Sequence, residues 1–226
     1  MTILLAIDTS ASMTRVALSI EDRIRQYRTD EPRQAAQQLL PLIDTAFAEA
    51  AISTKELDGI AVVTGPGSFT GLRIGIGVAQ GLSLANSTLL IGVSSLELLA
   101  KTANALTEDD GYLVCIPARE DEIYLGAYEQ QRSVLRLVDT EKVVELNSLS
   151  PQLNLPERKW SGIGPAWHKQ DQLETLLGVS VSNADTDAET SMEDLCVLGI
   201  EKLSRGETLS SEELLPNYVK ERLDYS

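Results

Sequence analysis

The stretch Thr64-Gly65-Pro66-Gly67-Ser68-Phe69-Thr70-Gly71-Leu72-Arg73 carries most of the information about the fold of this chain. It follows an apolar run at residues 60–63, which predicts a buried strand, and it leads into residues with helical spacing. A glycine-rich turn at the start of a helix presents free backbone N–H groups, which can bind an anion. The stretch has no Gly-Lys-Ser/Thr of a Walker loop, and its glycines continue into the helix. It therefore predicts a strand–turn–helix unit that either binds a phosphate or only turns the chain.

Glycine recurs inside this predicted helix, where each one costs about 1 kcal/mol relative to alanine. Gly71, Gly75 and Ala79 are four residues apart and share one face. Gly77 and Gly81 lie on another face, so the helix can pack on its own sheet and also on a partner. We assign the first face and the preceding helix to the partner, with the residues Leu39, Ile43, Gly71, Gly75 and Ala79. The substitution Gly75→Leu is then expected to abolish pairing while the monomer still folds.

The strand pattern occurs twice along the chain. The first copy predicts three antiparallel strands at residues 2–7, 15–20 and 23–28, and the second predicts strands at 112–116, 122–128 and 134–144. The break around residues 107–111 predicts two related lobes, 1–107 and 108–226. The second is degenerate and carries the final helix and a tail, residues 210–226, that ends acidic and exposed. Helices are predicted at about 31–51 with a kink at Pro41, at 96–106, and up to residue 203 from a cap at Thr190 or Ser191.

Asp8-Thr9-Ser10 lies between the first predicted strand and its hairpin partner, and it places a carboxylate and two hydroxyls at the end of that strand. A turn rich in Asp and Ser often has no further role. The same position also suits a hairpin that binds a nucleotide phosphate or a metal. Together with the glycine-rich turn it gives the candidate nucleotide or phosphate site, whose residues are Asp8, Thr9, Ser10, Gly65, Gly67, Ser68 and Thr70.

Charge and composition exclude several functions. There are 19 Lys and Arg against 34 Asp and Glu, a net charge of −15, so this chain alone is unsuited to binding nucleic acid. The one histidine, His168, lies in a loop-like segment, and no serine of the chain stands in a nucleophile-elbow motif. His168 is therefore predicted to be neither a catalytic residue nor a metal ligand. Cys115 and Cys196 are expected to be buried free thiols. Because no signal peptide or membrane span is evident, cytoplasmic localisation is expected.

Four segments, taken in order, resemble the TsaB (YeaZ) family. They are residues 3–10, residues 65–73, the Ala118-Arg119 stretch leading to Ile123-Tyr124, and residues 216–219. The central Gly-Pro-Gly-Ser-Phe-Thr-Gly-Leu-Arg is highly specific to that family. The resemblance implies the duplicated α/β fold of actin, Hsp70 and acetate kinase (ASKHA), with two related lobes of mixed sheets flanked by helices and a reduced second lobe. It also implies a role in forming threonylcarbamoyladenosine beside the anticodon of tRNAs that read codons beginning with A.

The same resemblance implies partners. A TsaD-like paralogue would carry the metal and the transfer chemistry, and a TsaE-like ATPase would join the complex. Homodimerisation through the small-residue surface of the helix, with the paralogue replacing one copy, is a linked hypothesis that rests on that surface and not on the resemblance. The paralogue's metal ligands come from a His-x-x-x-His motif on its first long helix, whereas residues 33–40 here contain no histidine. The resemblance therefore implies a non-catalytic subunit that requires no cofactor itself, meets tRNA only through the complex, and allows ATP to bind at the level of the complex. It also argues against a protease.

Two departures from the family and two rival functions remain open. Pro117-Ala118-Arg119 stands where many relatives have Asp-Ala-Arg, and the match beyond residue 145 is weak. The main rival is a small ATP-dependent phosphotransferase or ATPase of the same fold, which would use Asp8 with Thr9, Ser10 and the 65–70 loop. ATP binding that is lost in Asp8→Ala would favour it. A direct tRNA-binding module conflicts with the charge of −15.

Overall fold

Two mixed β-sheets organise the computed structural model of the chain, which describes residues 2–21, 23–104, 110–131, 134–148, 155–217 and 219. The strands of the first sheet are β1 (Ile3–Asp8), β2 (Arg15–Ile20), β3 (Arg23–Arg28), β4 (Gly59–Gly65) and β5 (Leu89–Ser94). The strands of the second sheet are β6 (Gly111–Pro117), β7 (Glu122–Gln131), β8 (Val134–Leu137), β9 (Lys142–Glu145), β10 (Trp160–Ile163) and β11 (Val181–Asp185). The helices are α1 (Ala35–Ala50), α2 (Phe69–Asn86), α3 (Ser95–Asn104), α4 (Gln170–Leu177) and α5 (Met192–Ser204), with 3-10 turns at Thr54–Glu56 and Pro165–Lys169.

The two sheets have the same topology. In the first, the strand order is β3-β2-β1-β4-β5, with antiparallel pairing among β1, β2 and β3 and parallel pairing of β1 with β4 and β4 with β5. In the second, the order β8-β7-β6-β10-β11 repeats this arrangement of directions, and β9 also pairs with β7. The prediction of two related lobes with mixed sheets is confirmed. The second is reduced at the helix after β10, the strand equivalent to β4, because α4 has 8 residues and α2 has 18.

The first compact unit comprises residues 1–95 and 191–217. Its sheet is covered on one face by α1 and α2 and on the other by α5. All residues of β1 and β4 are buried, which explains why their sequences are almost continuously apolar instead of alternating. The close packing of α5 requires Gly199, since a Cβ there would lie 2.8 Å from the side chains of both Leu4 and Ala61.

The second compact unit contains residues 96–190. Along β6, Tyr112 and Val114 belong to the cluster that α3 covers, while Leu113 and Cys115 belong to the cluster around the second 3-10 turn and α4. The two faces of this sheet are thus buried by different helices, as in the first unit. Trp160 and Trp167 are the largest of the buried side chains.

The predicted division at residues 107–108 is wrong, because two helices are exchanged between the units. Helix α3 directly follows the last strand of the first sheet, yet its apolar face packs in the second unit. Helix α5 follows the last strand of the second sheet but packs on β1, β2, β4 and β5 of the first. Sequence order placed each helix with the sheet that precedes it, whereas burial of its apolar face assigns it to the other one.

Helix α1 begins at Ala35, four residues later than predicted. Residues 30–34 instead form a turn in which Arg33 has a φ of 61° and donates its N–H to the carbonyl of Ser12 at 2.8 Å. Pro41 lies inside the helix and does not end it. Burial of Leu39 and Ile43 on the sheet maintains the helix through the proline.

One strand was predicted over residues 134–144, and the structure has two. Asp139 breaks the run, because its carboxylate accepts the N–H of Thr140 at 2.7 Å and pairs with Lys142 at 2.8 Å. These contacts hold a bend between β8 and β9, and both strands pair with β7. The irregular segment predicted after residue 147 contains β10 and the second 3-10 turn among its described residues; residues 149–154 lie outside them.

Residues 209–217, which we call the C-terminal strap, are held against the first unit, with Leu214 buried and Ser210, Glu212, Glu213 and Leu215 exposed. Leu209 donates its N–H to Leu90 at 2.8 Å on the edge of the first sheet, and Leu214 is completely buried. The acidic, exposed end predicted for the tail falls on residues 218 and 220–226, which lie outside the described residues. Among the helices that the structure describes, none is both long enough and apolar enough to cross a membrane.

Candidate functional site

The structure brings the two halves of the predicted phosphate site together. The β1–β2 loop stands on the N-terminus of α2, where the N–H of Ser68 donates to the carbonyl of Ser10 at 2.7 Å. A Cβ on Gly67 would lie 2.6 Å from that same carbonyl, so only glycine allows this approach. Residues from positions 8–10 and 65–70 therefore form one continuous patch at the ends of β1 and β4.

Asp8 directs its carboxylate into the loop. The residue is fully buried, and its Oδ1 accepts hydrogen bonds from the N–H of Ser10 at 2.9 Å and from the Ser10 hydroxyl at 2.6 Å. Its Oδ2 pairs with the guanidinium of Arg15, which is directly opposite in the β1–β2 register. Both carboxylate oxygens thus have partners within the hairpin. This arrangement orders the loop.

Thr9 explains two of the glycines in α2. A Cβ on Gly71 would lie 2.1 Å from the Thr9 carbonyl oxygen, and one on Gly75 would lie 2.3 Å from Thr9 Oγ1. This Oγ1 is buried and has no hydrogen-bond partner within the described residues. The glycines therefore allow a backbone loop to lie directly on a helix, which no residue with a side chain would permit.

At the N-terminus of α2, some of the N–H groups that could bind an anion already donate hydrogen bonds within the protein. Ser68 caps α2, its Oγ accepting the N–H of Gly71 at 3.2 Å, and its own N–H is bound to Ser10. Thr70 is exposed in the first turn. Gly65 has a φ of 114°, a region that favours glycine, and precedes Pro66 through a cis peptide bond. Two of the donors that could hold a phosphate here are thus already engaged.

The residues assigned to a partner interface are all buried in the first unit, so that assignment is wrong. They are Leu39, Ile43, Gly71, Gly75 and Ala79. The small residues of this helix face serve the protein's own sheet and the β1–β2 loop. The spacing argument identified two small faces correctly, but it could not tell which one faces inward.

The other face of α2 is open. Gly77 and Gly81 would have no atom within 4 Å of an added Cβ, and Phe69 and Leu84 are 67% and 73% exposed. These four residues define the open α2 face. Leu40 on the neighbouring α1 is also 55% exposed. Sequence reasoning missed Phe69 and Leu84 because apolar residues on a helix are expected to be buried; the signal was that Leu84 continues the spacing of Gly77 and Gly81.

Arg73 shapes one end of this face. Its guanidinium lies 3.4 Å from the centre of the Phe69 ring, and its Nη1 donates to the Phe69 carbonyl at 2.9 Å. Aromatic residues and arginine are enriched among the side chains that dominate binding at protein interfaces. The open α2 face thus combines glycines that permit close approach with large side chains that can anchor a partner.

The remaining candidates lie elsewhere. His168 is exposed, with Nδ1 at 2.6 Å from the Pro165 carbonyl, as expected for a surface imidazole. Cys115 and Cys196 are buried free thiols, and burial raises the pKa of Cys196 to about 12. The part of the chain that the structure describes contains no group of three or more His, Cys, Asp or Glu placed to hold a metal ion.

Comparison with known proteins shows where this architecture occurs. A family model described as TsaD, tRNA N6-adenosine threonylcarbamoyltransferase, matches residues 29–208. The tRNA threonylcarbamoyladenosine biosynthesis protein TsaB of Bacillus subtilis (strain 168) is 30% identical, covering 96% of this chain and 93% of that protein. The TsaB of Buchnera aphidicola subsp. Schizaphis graminum is 32% identical over 74% of this chain and 80% of its own length. The structure of YeaZ from Pseudomonas aeruginosa superposes with a TM-score of 0.83 at 34% identity, covering 96% of this chain and all of that one.

The repeated sheet order and the flanking helices define a duplicated α/β protein of the actin, Hsp70 and acetate kinase class, as predicted. Within that class the chain belongs to the TsaB (YeaZ) family, and it shares with TsaD the family model that matches it.

Proposed function

We propose that this chain is a non-catalytic subunit in the formation of threonylcarbamoyladenosine in tRNA, and that it binds and activates a TsaD-type paralogue through the open α2 face. The names of its relatives support the pathway. The observation that carries the mode of action is the exposure of Phe69 and Leu84 beside two unobstructed glycines. The internal engagement of Asp8 supports a supporting role rather than a catalytic one.

The physical argument concerns the shape of that face. Single exposed apolar residues are ordinary, but several on one helix face, next to glycines, form a surface on which a second helix can pack closely. The chain matches a TsaD family model over most of its length, so a TsaD-type protein is expected to carry an equivalent pair of helices. Two equivalent helix pairs can pack against each other. The same surface would serve a homodimer when the paralogue is absent.

Several further features belong to the same proposal. The chain would require no cofactor, and ATP would act at the level of the complex through a TsaE-like ATPase. With a net charge of −15, the chain would meet tRNA only through the complex. The working location would be the cytoplasm, where tRNA modification takes place.

The test measures the Kd between the purified TsaD-type paralogue of the same organism and variants of this chain. The test variant is Leu84→Asp, and the control variant is Leu137→Asp. Leu137 is also an exposed leucine, at 45%, but it lies on β8 in the second unit. We expect Leu84→Asp to weaken binding by about a hundredfold, because it places a charge in an apolar interface, and the control to bind like the wild type. Equal affinities of the two variants would contradict the proposal.

The rival activity is tested by ATP titration of the isolated chain and by ATP hydrolysis. Tight ATP binding or turnover that is lost in Asp8→Ala, with the variant still folded by circular dichroism, would establish the phosphotransferase or ATPase instead. We expect neither, because Ser10 and Arg15 occupy both oxygens of Asp8.

A further inference from the structure

The C-terminal strap is fixed to the first unit at both ends. At its start, the N–H of Leu209 donates to the Leu90 carbonyl at 2.8 Å. At its end, the N–H of Asn217 donates to the Thr64 carbonyl at 2.8 Å, immediately before the glycine-rich turn. Between them, Leu214 is completely buried and belongs to the core of the unit. The strap is therefore an integral part of this unit, and its position is determined by the fold.

Gln80 joins the middle of the strap to α2. Its side-chain amide donates to the carbonyl of Ser211 at 2.8 Å and to the carbonyl of Leu214 at 3.0 Å. On a helix, Gln80 is a surface neighbour of Gly77 and Leu84, three residues before it and four after it. Both neighbours belong to the open α2 face. The peptide that joins Leu214 to Leu215 thus lies at the border of that face.

The strap presents one leucine to the core and the next to solvent. Leu214 has no exposed surface, whereas Leu215 is 64% exposed. Reciprocal hydrogen bonds between Ser210 and Glu213 order the turn just before them, with the Ser210 N–H 2.9 Å from a Glu213 carboxylate oxygen. The exposed Leu215 side chain is consequently held on a fixed backbone beside Gln80.

We propose that Leu215 extends the open α2 face, so that the TsaD-type paralogue contacts the helix and the strap together, and that Gln80 is the positioning residue that joins them. This inference rests on the proposed function and concerns the same surface. It is supported by the continuity between the strap and α2 through the two Gln80 hydrogen bonds. Preorganisation also favours it, because a strap that is already ordered loses little conformational entropy on binding.

The experiment compares the affinity of the purified paralogue for Leu215→Ser and Leu137→Ser. Both replace an exposed leucine, so neither is expected to disturb folding. We expect Leu215→Ser to raise the Kd about tenfold and Leu137→Ser to leave it unchanged. The variant Leu84→Asp, measured in the same experiment, shows whether the open α2 face itself contacts the paralogue.

Gln80→Leu adds a test of the positioning role. It removes both hydrogen bonds to the strap but keeps a side chain of similar size. We expect a Kd about tenfold higher than that of the wild type, together with faster hydrogen exchange of the backbone amides of Leu214, Leu215 and Asn217. Faster exchange without any change in affinity would show that the strap is structural only.

The outcomes separate the two proposals. If the wild type binds and Leu84→Asp does not, but Leu215→Ser binds like the wild type, the strap inference is overturned and the proposed function stands. If the wild type does not bind the paralogue at all, the proposed function fails, and the strap inference fails with it.

Discussion

The two units have an equivalent connection, after β4 in the first and after β10 in the second, but different groups pack against it. In the first, β4 ends at Gly65, followed by Pro66, and in the second, β10 is followed by Gly164 and Pro165. Both glycines have a positive φ, 114° and 103°. In the first unit the β1–β2 loop lies on the turn at Gly67 and on α2 at Gly71 and Gly75. In the second unit Trp167 fills the equivalent connection, with its ring 2.4 Å from a Cβ placed on Gly162 and its Nε1 donating to Leu113 at 2.8 Å.

The same strand–turn–helix connection is thus packed by polar backbone in one unit and by an aromatic side chain in the other. Glycines in the first unit keep room for polar backbone of the β1–β2 loop at the start of a long helix whose other face is open. A buried tryptophan in the second makes its connection part of the hydrophobic core. In the first unit the long helix α2 also has an open face with two glycines.

The largest expected effect tests whether the glycines of α2 are needed for the loop contact. Gly71→Ala should lower the free energy of unfolding by about 3 kcal/mol, because its Cβ would collide with the Thr9 carbonyl oxygen. The control is Gly77→Ala on the same helix, where nothing lies within 4 Å; it should stabilise the protein by about 1 kcal/mol. Urea unfolding measures both.

If Gly71→Ala had the same free energy of unfolding as the wild type, glycine would not be needed for the contact between the β1–β2 loop and α2, and this difference between the two units would not hold. The same geometry changes the expectation for Gly75→Leu, for which a folded monomer was predicted. Its side chain would meet Thr9 Oγ1, and we now expect loss of folding stability before any loss of pairing.

An intermediate effect is expected at the matching glycine of the second unit. Gly164→Ala should destabilise that unit by about 2 kcal/mol, since it combines a φ of 103° with a Cβ only 2.7 Å from the Cys115 carbonyl oxygen. Gly178→Ala is the control: its φ is 67°, but the space around it is empty, so about 1 kcal/mol is expected. Hydrogen exchange of the β6 amides gives the local stability. Equal costs would mean that the backbone conformation alone matters there.

The smallest effect concerns the strap, which is hydrogen-bonded to Thr64 beside the connection between β4 and α2. The pKa of Glu213 is lowered, first by the hydrogen bond from the Ser210 N–H and then by the Ser210 side chain. A lowered pKa means that the contribution to stability is present above the unfolded pKa of about 4.3 and is lost as the pH falls through the lower folded value. Hydrogen exchange in residues 210–214 should therefore show more opening at about pH 3 than at about pH 6.

Glu213→Gln should remove this pH dependence, and Glu212→Gln, a change to the neighbouring exposed residue, should leave it in place. A strap that opens equally at both pH values in the wild type would show that Glu213 does not order it.

Much of the fold could be predicted from local patterns. The strands β2 and β3 were predicted at their observed bounds, and the Ser191 cap of α5 is confirmed by hydrogen bonds to the N–H groups of Glu193 and Asp194. These features depend on alternation and capping, which act over a few residues. The α4 segment was missed, and the exchange of α3 and α5 between the units was predicted wrongly, because each depends on which distant surface a helix covers.

In the candidate site, too, local features were predictable and contacts between distant residues were not. The sequence brought Asp8, Ser10 and Ser68 into one hypothesis, and the structure places them in contact. It could not show that Arg15 and Ser10 occupy the Asp8 carboxylate, since that depends on the β1–β2 register. Phosphate or nucleotide binding at this place stays a prediction.

Composition and local periodicity were enough to predict the duplicated α/β architecture, the glycine-rich strand–turn–helix connection and the buried thiols, and they give the chain its acidic character. These properties follow from composition and from periodicity within short segments, where a residue's neighbours along the chain are also its neighbours in space. Contacts in the folded protein were needed to show which glycine face of α2 is buried, which sheet α3 and α5 cover, and that Gln80 and Leu214 hold the final segment as a strap. Each of these depends on contacts between residues far apart in the chain, and burial of apolar surface, which is non-directional, cannot be assigned to a partner from the sequence pattern alone.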